Sequence, residues 1–287
     1  MRRIHQLLAA AVIIAGSAPA AVQSQDLGRD AVVWTWSGSV ERGRWFRVSN
    51  VNGPVTVEAS PDSRIHVRAE KIVKRGNLRD VRFRVVESGG DVRVCAMWRE
   101  SDVCDEDGLR SRGRDSDRDD DREITVRFTI GIPGGVKLGA GTVNGAMSVR
   151  GATSEVRAST VNGAVEVRDA GGEVNAATVN GSVDVTTRSG PVSANTVNGN
   201  INVRMASSGS GGDMKFNTVN GNITVATPPT LNANVSLNTM HGSLSSDYPV
   251  QISGRFGPRH AEGKIGSGGP TLRMRTLNGS LELRKAM

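Results

Sequence analysis

The sequence predicts an all-β fold, a single-stranded right-handed β-helix or β-solenoid with about 18–22 residues per coil, and three observations carry it. The first is a repeat. Thr-Val-Asn-Gly opens at Thr142, Thr160, Thr178, Thr196 and Thr218, with looser copies at Thr239-Met240-His241-Gly242 and Thr276-Leu277-Asn278-Gly279 and an early outlier at Asn50-Val51-Asn52-Gly53. From Gly145 to Gly163, Gly181 and Gly199 the step is 18 residues, then 22 to Gly221, 21 to Gly242 and 37, about two periods, to Gly279. Such a period marks units that bury their faces only against their neighbours.

The second observation is a set of apolar columns. Two residues after the glycine stand Val55, Met147, Val165, Val183, Ile201, Ile223, Leu244 and Leu281, and four after it Val57, Val149, Val167, Val185, Val203, Val225, Ser246 and Leu283. Between them every copy is polar (Thr56, Ser148, Glu166, Asp184, Asn202, Thr224, Ser245, Glu282), which is the period-two pattern of a half-buried strand. A second strand precedes each Asn-Gly, with apolar residues seven and five before the glycine, as in Val156 and Ala158.

The third observation separates two ways of threading strand, Asn-Gly, strand. A β-hairpin meander makes Asn-Gly a type I′ turn, because both residues tolerate positive φ. A solenoid makes it a corner, with each strand pairing to its copy 18 to 22 residues on. The residue two before the glycine is apolar in every copy (Val51, Val143, Val161, Val179, Val197, Val219, Met240, Leu277). A hairpin would leave that row in water, whereas a corner is expected to turn it inward. Stacking also explains the identical asparagines, whose amides can form a ladder. The expected corner ladder comprises Asn52-Gly53, Asn144-Gly145, Asn162-Gly163, Asn180-Gly181, Asn198-Gly199, Asn220-Gly221, His241-Gly242 and Asn278-Gly279, with His241 breaking one step.

In chain order, residues 1–20 read as a signal peptide: Arg2 and Arg3 precede an apolar run from Leu7 to Ala15, and Ala18-Pro19-Ala20 offers a cleavage site. The run is too short for a permanent span, and no cysteine precedes Cys95, so no acylation site is present there. No integral membrane segment is expected after cleavage. Residues 21–98 form a β-rich cap with the first coil, in which Trp34, Trp36, Trp45 and Phe46 plug the open end of the stack in preference to forming a sugar platform. Alternating runs follow at Ile65–Val73, Val81–Val86 and Val92–Met97.

Cys95 and Cys104, an even pair in an exported chain, read as a disulfide. Residues 99–123 read as a charged disordered loop. Asp115, Asp117 and Asp119 alternate as in a calcium loop, but Asp120 stands where the EF-hand glycine belongs. Residues 124–287 then form the main stack, with loops expected at Ser207–Asp213 and Gly254–Pro270. Gly263-Lys264-Ile265-Gly266 lacks the Lys-Ser/Thr ending and the helix of a P-loop.

The repeated Thr-Val-Asn-Gly, the Trp36-Ser37-Gly38 and Val51-Asn52-Gly53 segments, Val92-Arg93-Val94-Cys95, Ile132-Pro133-Gly134-Gly135-Val136 and the closing Gly263-Lys264-Ile265-Gly266-Ser267-Gly268-Gly269-Pro270 before Leu277-Asn278-Gly279-Ser280-Leu281 resemble a bacterial family of unknown function. That is the DUF4097 family, described as "putative adhesin" β-strand repeat proteins. The resemblance covers nearly the whole chain after the signal and implies a β-helix and an exported location. It offers no catalytic residue to carry over.

Composition agrees with this class. Only 3% of residues are aromatic and 35 are glycine, too few rings for the girdles of an outer-membrane barrel. A formal charge of +7 suits an acidic partner, yet no basic groove interleaved with stacking aromatics is visible, so nucleic acid is not expected. Glu166 and Asp184 fall one coil apart, which would bring two carboxylates to about 5 Å, the arrangement a glycan-cleaving enzyme needs. Ser148 and Asn202 in the same column favour a solvated face instead. His66, His241 and His260 lie far apart in sequence, at most two could meet by coiling, and each reads as an isolated surface or corner histidine and not as a metal ligand or base. The expectation is a non-enzymatic protein without catalytic, cofactor-binding or metal residues, periplasmic, cell-surface or secreted. Its partner would be a polysaccharide or a cell-envelope protein; the alternatives are a polysaccharide lyase or hydrolase on the same scaffold and a structural envelope component.

Overall fold

Eight coils stack through two long sheets, one of thirteen strands and one of eleven, in a computed structural model. The structure describes residues 26–27, 29–111, 122–207, 211–254 and 258–286. The expected signal peptide and the Asp115–Asp119 calcium loop lie outside them. Each coil gives one strand to each sheet. In the Asn162 coil these are Val156–Ser159 and Val165–Ala170, and both pair in parallel with their copies 18 residues away, Val156 with Val174 and Val165 with Val183. The inward residues of both strands are the apolar columns of the sequence: Val156, Ala158, Val165, Val167, Val183 and Val185 are all buried. Small side chains let the sheets approach, so valine and alanine fill most of the interior, with Phe216 a buried ring in the Asn220 coil.

Consecutive copies do not always touch. The Asn52 coil (Trp45–Ser49, Val55–Ala59) lies against the Asn144 coil (Lys137–Gly141, Met147–Arg150), with residues 65–132 looped out to build the end of the stack. At the other end the chain passes the Asn220 coil, forms the outer coil at His241, and returns to insert the Asn278 coil between them. The step expected at 21 residues is therefore 58. The chemistry of the corner favours this order, because Asn278 can continue an amide ladder and His241 cannot.

The gap at Gly254–Pro270, expected as a loop, contains the strand Arg259–Ile265, which runs antiparallel to Ala233–His241 and carries Gln251–Ser253 on its far side. It covers a sheet edge that would otherwise offer free N–H and C=O groups. Within residues 99–123, Val103–Cys104 and Leu109–Arg110 form a small two-stranded sheet.

The N-terminal end is built differently. Val33–Gly38, Ile65–Arg75 and Glu123–Ile132 extend one sheet antiparallel to one another, and Arg82–Ser88 with Asp91–Met97 extends the other. Trp34 stacks on Phe83 at 4.8 Å, Phe83 meets Phe128 edge-on at 5.9 Å and Trp36 stacks on Phe46 at 6.2 Å. Phe46, Phe83 and Phe128 are fully buried and Trp34 nearly so, and these rings plug the stack; Trp45, expected among them, instead alternates to the outward face of its strand beside Phe46. Cys95 and Cys104 form a disulfide, packed with Val86, Met97 and Leu109.

Candidate functional site

The corner repeat works residue by residue. Its threonine points inward, and the hydroxyl donates to the glycine carbonyl of the neighbouring coil: Thr142 to Gly53, Thr160 to Gly145, Thr178 to Gly163, Thr196 to Gly181, Thr218 to Gly199, Thr276 to Gly221 and Thr239 to Gly279, at 2.8 to 3.0 Å. Each hydroxyl satisfies an acceptor that the turn leaves buried. The glycine is required by close approach, since a Cβ on Gly199 would lie 1.9 Å from the Gly181 carbonyl oxygen and one on Gly163 2.3 Å from that of Gly145.

The asparagine amides form the expected ladder. Asn162 donates to Asn144, Asn180 to Asn162, Asn198 to Asn180, Asn220 to Asn198 and Asn278 to Asn220, at 2.8 to 2.9 Å. Because Asn278 sits directly on Asn220, His241 ends the row at its outer limit and breaks no internal step. Asn52, at the opposite limit, donates instead to the Ile124 carbonyl at 2.6 Å. Among the described residues the only non-glycine with positive φ is Asp169, so no asparagine adopts the conformation a type I′ hairpin demands.

The expectation that the second letter of the repeat, its valine, turns inward fails. Val143, Val161, Val179, Val197 and Val219 are 38–39% exposed, Met240 43% and Leu277 44%. Strand alternation persists through the corner: in one coil Ala158 and Thr160 are buried while Ser159 and Val161 face out, and parity changes only across Asn162-Gly163. The valines pack beside one another in a surface row, and the solenoid follows from the parallel registers and the backbone angles.

The outward rows of the two sheets differ. On the eleven-stranded sheet Thr56, Ser148, Glu166, Asp184, Asn202, Thr224, Glu282 and Ser245 stand in register. Glu166 is engaged by Arg168, with Arg150 at 3.9 Å, and Asp184 accepts from Ser182 at 2.9 Å and Asn202 at 2.8 Å. The two acids are adjacent as the spacing required, each held by its own neighbours. They line a shallow groove of about 300 Å³ with Arg204 and Arg284.

The thirteen-stranded sheet carries a basic row that column reading overlooked: Arg93, Arg47, Gly139, Arg157, Asn175, Ser193, Lys215, Arg273 and Ser236. Trp45, half-buried at its edge, has Arg157 at 4.7 Å, Arg47 at 4.8 Å and Lys137 at 5.5 Å from its ring. All three cations are tethered, Arg47 to Asp91 at 2.7 Å, and Arg157 and Lys137 to Glu155 at 2.8 and 3.3 Å. The position between the two inward columns of the upstream strand was the available signal.

The histidines stay apart. His66 contacts Asp62 at 2.9 Å, His260 lies 3.0 Å from Glu262, and His241 is an exposed corner residue. Among the described residues no group of three or more His, Cys, Asp or Glu is placed to hold a metal, and no helix is long and apolar enough to cross a membrane.

The Toastrack DUF4097 family model matches residues 133–284. No curated protein matches the sequence. Among solved structures, a "putative cell adhesion protein" from Clostridium sporogenes is similar at 9% identity over 88% of this chain and 100% of that one, with a TM-score of 0.27. A "putative adhesin" from Bacteroides fragilis is similar at 11% identity over 88% and 97%, with a TM-score of 0.41.

Proposed function

We propose that this chain, which belongs to the Toastrack DUF4097 family, is an exported, non-enzymatic binding protein that holds an extended acidic polysaccharide along its repetitive faces. The observation that carries the reading is the basic row of the thirteen-stranded sheet, where Arg93, Arg47, Arg157, Lys215 and Arg273 recur along nine strands in register. Neighbouring strands lie about 4.8 Å apart, so the row runs for roughly 40 Å, long enough for several sugar units. Recurring cations on a rigid scaffold suit a repeating anion, because its charges meet cations at both ends of the row and polar Asn175 and Ser193 between them without reordering the protein. Export is supported by the Cys95–Cys104 disulfide, a bond that persists in oxidising compartments.

The test incubates the protein with neutral and acidic polysaccharides at two salt concentrations and assays both retained protein and released sugar. Retention on acidic polymers, weakened by salt and without released sugar, is the expected result. Sugar release abolished by Glu166→Gln with Asp184→Asn would instead establish a glycan-cleaving enzyme, and no retention on any polymer would leave a protein partner in the envelope.

A further inference from the structure

The corner ladder has an open end. In the Asn144 coil the backbone N–H groups of Val143 and Asn144 both donate to the Val51 carbonyl oxygen, at 3.2 and 2.8 Å. The pattern repeats for Val161 and Asn162 on Val143, Val179 and Asn180 on Val161, Val197 and Asn198 on Val179, and Val219 and Asn220 on Val197, always at 3.3 Å and 2.7 to 2.8 Å. Every such pair is a two-pronged clamp on one oxygen. At the first coil the same two groups, Val51 N–H and Asn52 N–H, have no hydrogen-bond partner among the described residues.

The reason is topological. The strand Asp91–Met97 follows the Asn52 coil as far as Ser49, opposite Cys95, and then leaves toward the disulfide. From the other side Glu123–Ile132 arrives straight, giving the Ile124 carbonyl to the Asn52 side chain. Between them, where another coil would turn its corner, lies a cleft of about 830 Å³ lined by Asn50, Val51, Asn52, Arg93 and Trp98. That is the size of a small-molecule or short-peptide site.

We propose that this cleft binds the C-terminal carboxylate of an extended peptide, one carboxylate oxygen seated between the Val51 and Asn52 N–H groups. Those groups are held by the same fold that makes the later clamps, so they are set for an oxygen acceptor before any ligand arrives. The half-buried Arg93 in the wall argues for an anion. Its guanidinium donates to the Glu106 carbonyl at 3.2 Å, and burial, aided by nearby Arg47, lowers its pKa below the ordinary arginine value against the pull of Asp105, Asp107 and Asp91; a further carboxylate would relieve the cost that remains.

Two further wall groups argue for a peptide. Asn50 is 4% exposed, and its Nδ2 donates to the Gly53 and Val126 carbonyls while Oδ1 is buried without a partner; Trp98 Nε1 is likewise unpartnered. One acceptor and one donor match the N–H and C=O of a peptide group, which a simple anion does not supply. The acids in the wall are already occupied, Asp102 by the Trp98 and Arg99 N–H groups and Asp80 by the Asn77 N–H. This ligand is distinct from the polysaccharide proposed for the outer rows, although Arg93 both lines the cleft and ends the basic row; the Val51 and Asn52 resonances report the cleft alone, so either reading stands if the other fails. Carboxylate capture by paired backbone N–H groups is a recurring way of reading a chain end.

The test titrates the ¹⁵N-labelled full chain with an acetylated tetrapeptide free acid, its C-terminal amide, and sodium glucuronate. The free acid is expected to shift the Val51 and Asn52 amide resonances and to bind about ten-fold more tightly than the amide, a margin one charge-assisted contact supplies. Arg93→Gln, checked for an unchanged circular dichroism spectrum, is expected to remove that margin without changing the amide's affinity. The proposal is overturned if neither resonance moves, if acid and amide bind equally, or if glucuronate binds as tightly as the peptide, which would make an acidic sugar the ligand.

Discussion

The stacked coils and the N-terminal end solve one problem in two ways. Between the Asn144 and Asn220 coils each layer rests on a near-copy of itself, and its interior is mostly valine, alanine and threonine, with Leu138, Met147, Ile201, Ile223 and Phe216 in the same inward columns. At the N-terminal end there is no copy to rest on. There the strands switch to antiparallel pairing, and Trp34, Phe46, Phe83 and Phe128 fill the space. The difference teaches that the conserved-looking letters of the repeat are demanded by stacking. Where stacking stops, bulk replaces identity.

The largest expected effect breaks the N-terminal end. Phe83→Ala removes the ring that joins Trp34 to Phe128 and is expected to cost about 3–5 kcal/mol in urea unfolding. In the middle of the stack the sharpest break needs only one methyl group. Gly199→Ala sets a Cβ against the Gly181 carbonyl, a contact that parts two coils and is expected to cost about 3 kcal/mol by the same assay. Thr178→Val keeps the shape and removes the bond to the Gly163 carbonyl, for which about 1 kcal/mol is expected.

A different kind of effect is a pH slope confined to the N-terminal end. Lys71 is buried, donates to the Arg29 and Leu78 carbonyls, and has its pKa pushed down to about 8, chiefly by burial. Below that pH the lysine is charged in both states and the burial cost is present in full. Between about 8 and the ordinary 10.5 the unfolded chain binds more protons than the folded one, so stability rises with pH in that window. Urea unfolding at pH 7, 9 and 10.5 is expected to show a rise in wild type that Lys71→Met lacks.

Much of this was legible in the letters. The columns at Val165, Val167, Val183 and Val185 named the core of the stack because strand parity is local. The threonine and asparagine roles followed from identity at a fixed step. The valine of the repeat was misread because a corner was taken to change parity one residue early, at Val161, when the change falls across Asn162-Gly163. The insertion of the Asn278 coil under the His241 coil was hidden because both copies satisfy the same columns, and only the missing carboxamide at residue 241 distinguishes them. The basic row escaped notice because it falls between the inward columns of the strand before the repeat, where Arg157, Lys215 and Arg273 alternate with small polar residues. The open clamp at Val51 and Asn52 is invisible to any pattern, since it exists only through the coil that is not there.

The most direct test of binding by the outward rows compares wild type with Lys215→Glu/Arg273→Glu on an immobilised acidic polysaccharide at low salt. Both substitutions lie on the outward face of paired strands and leave the buried columns alone. Loss of retention with an unchanged unfolding midpoint is the predicted result. Undiminished retention by the double variant would contradict it.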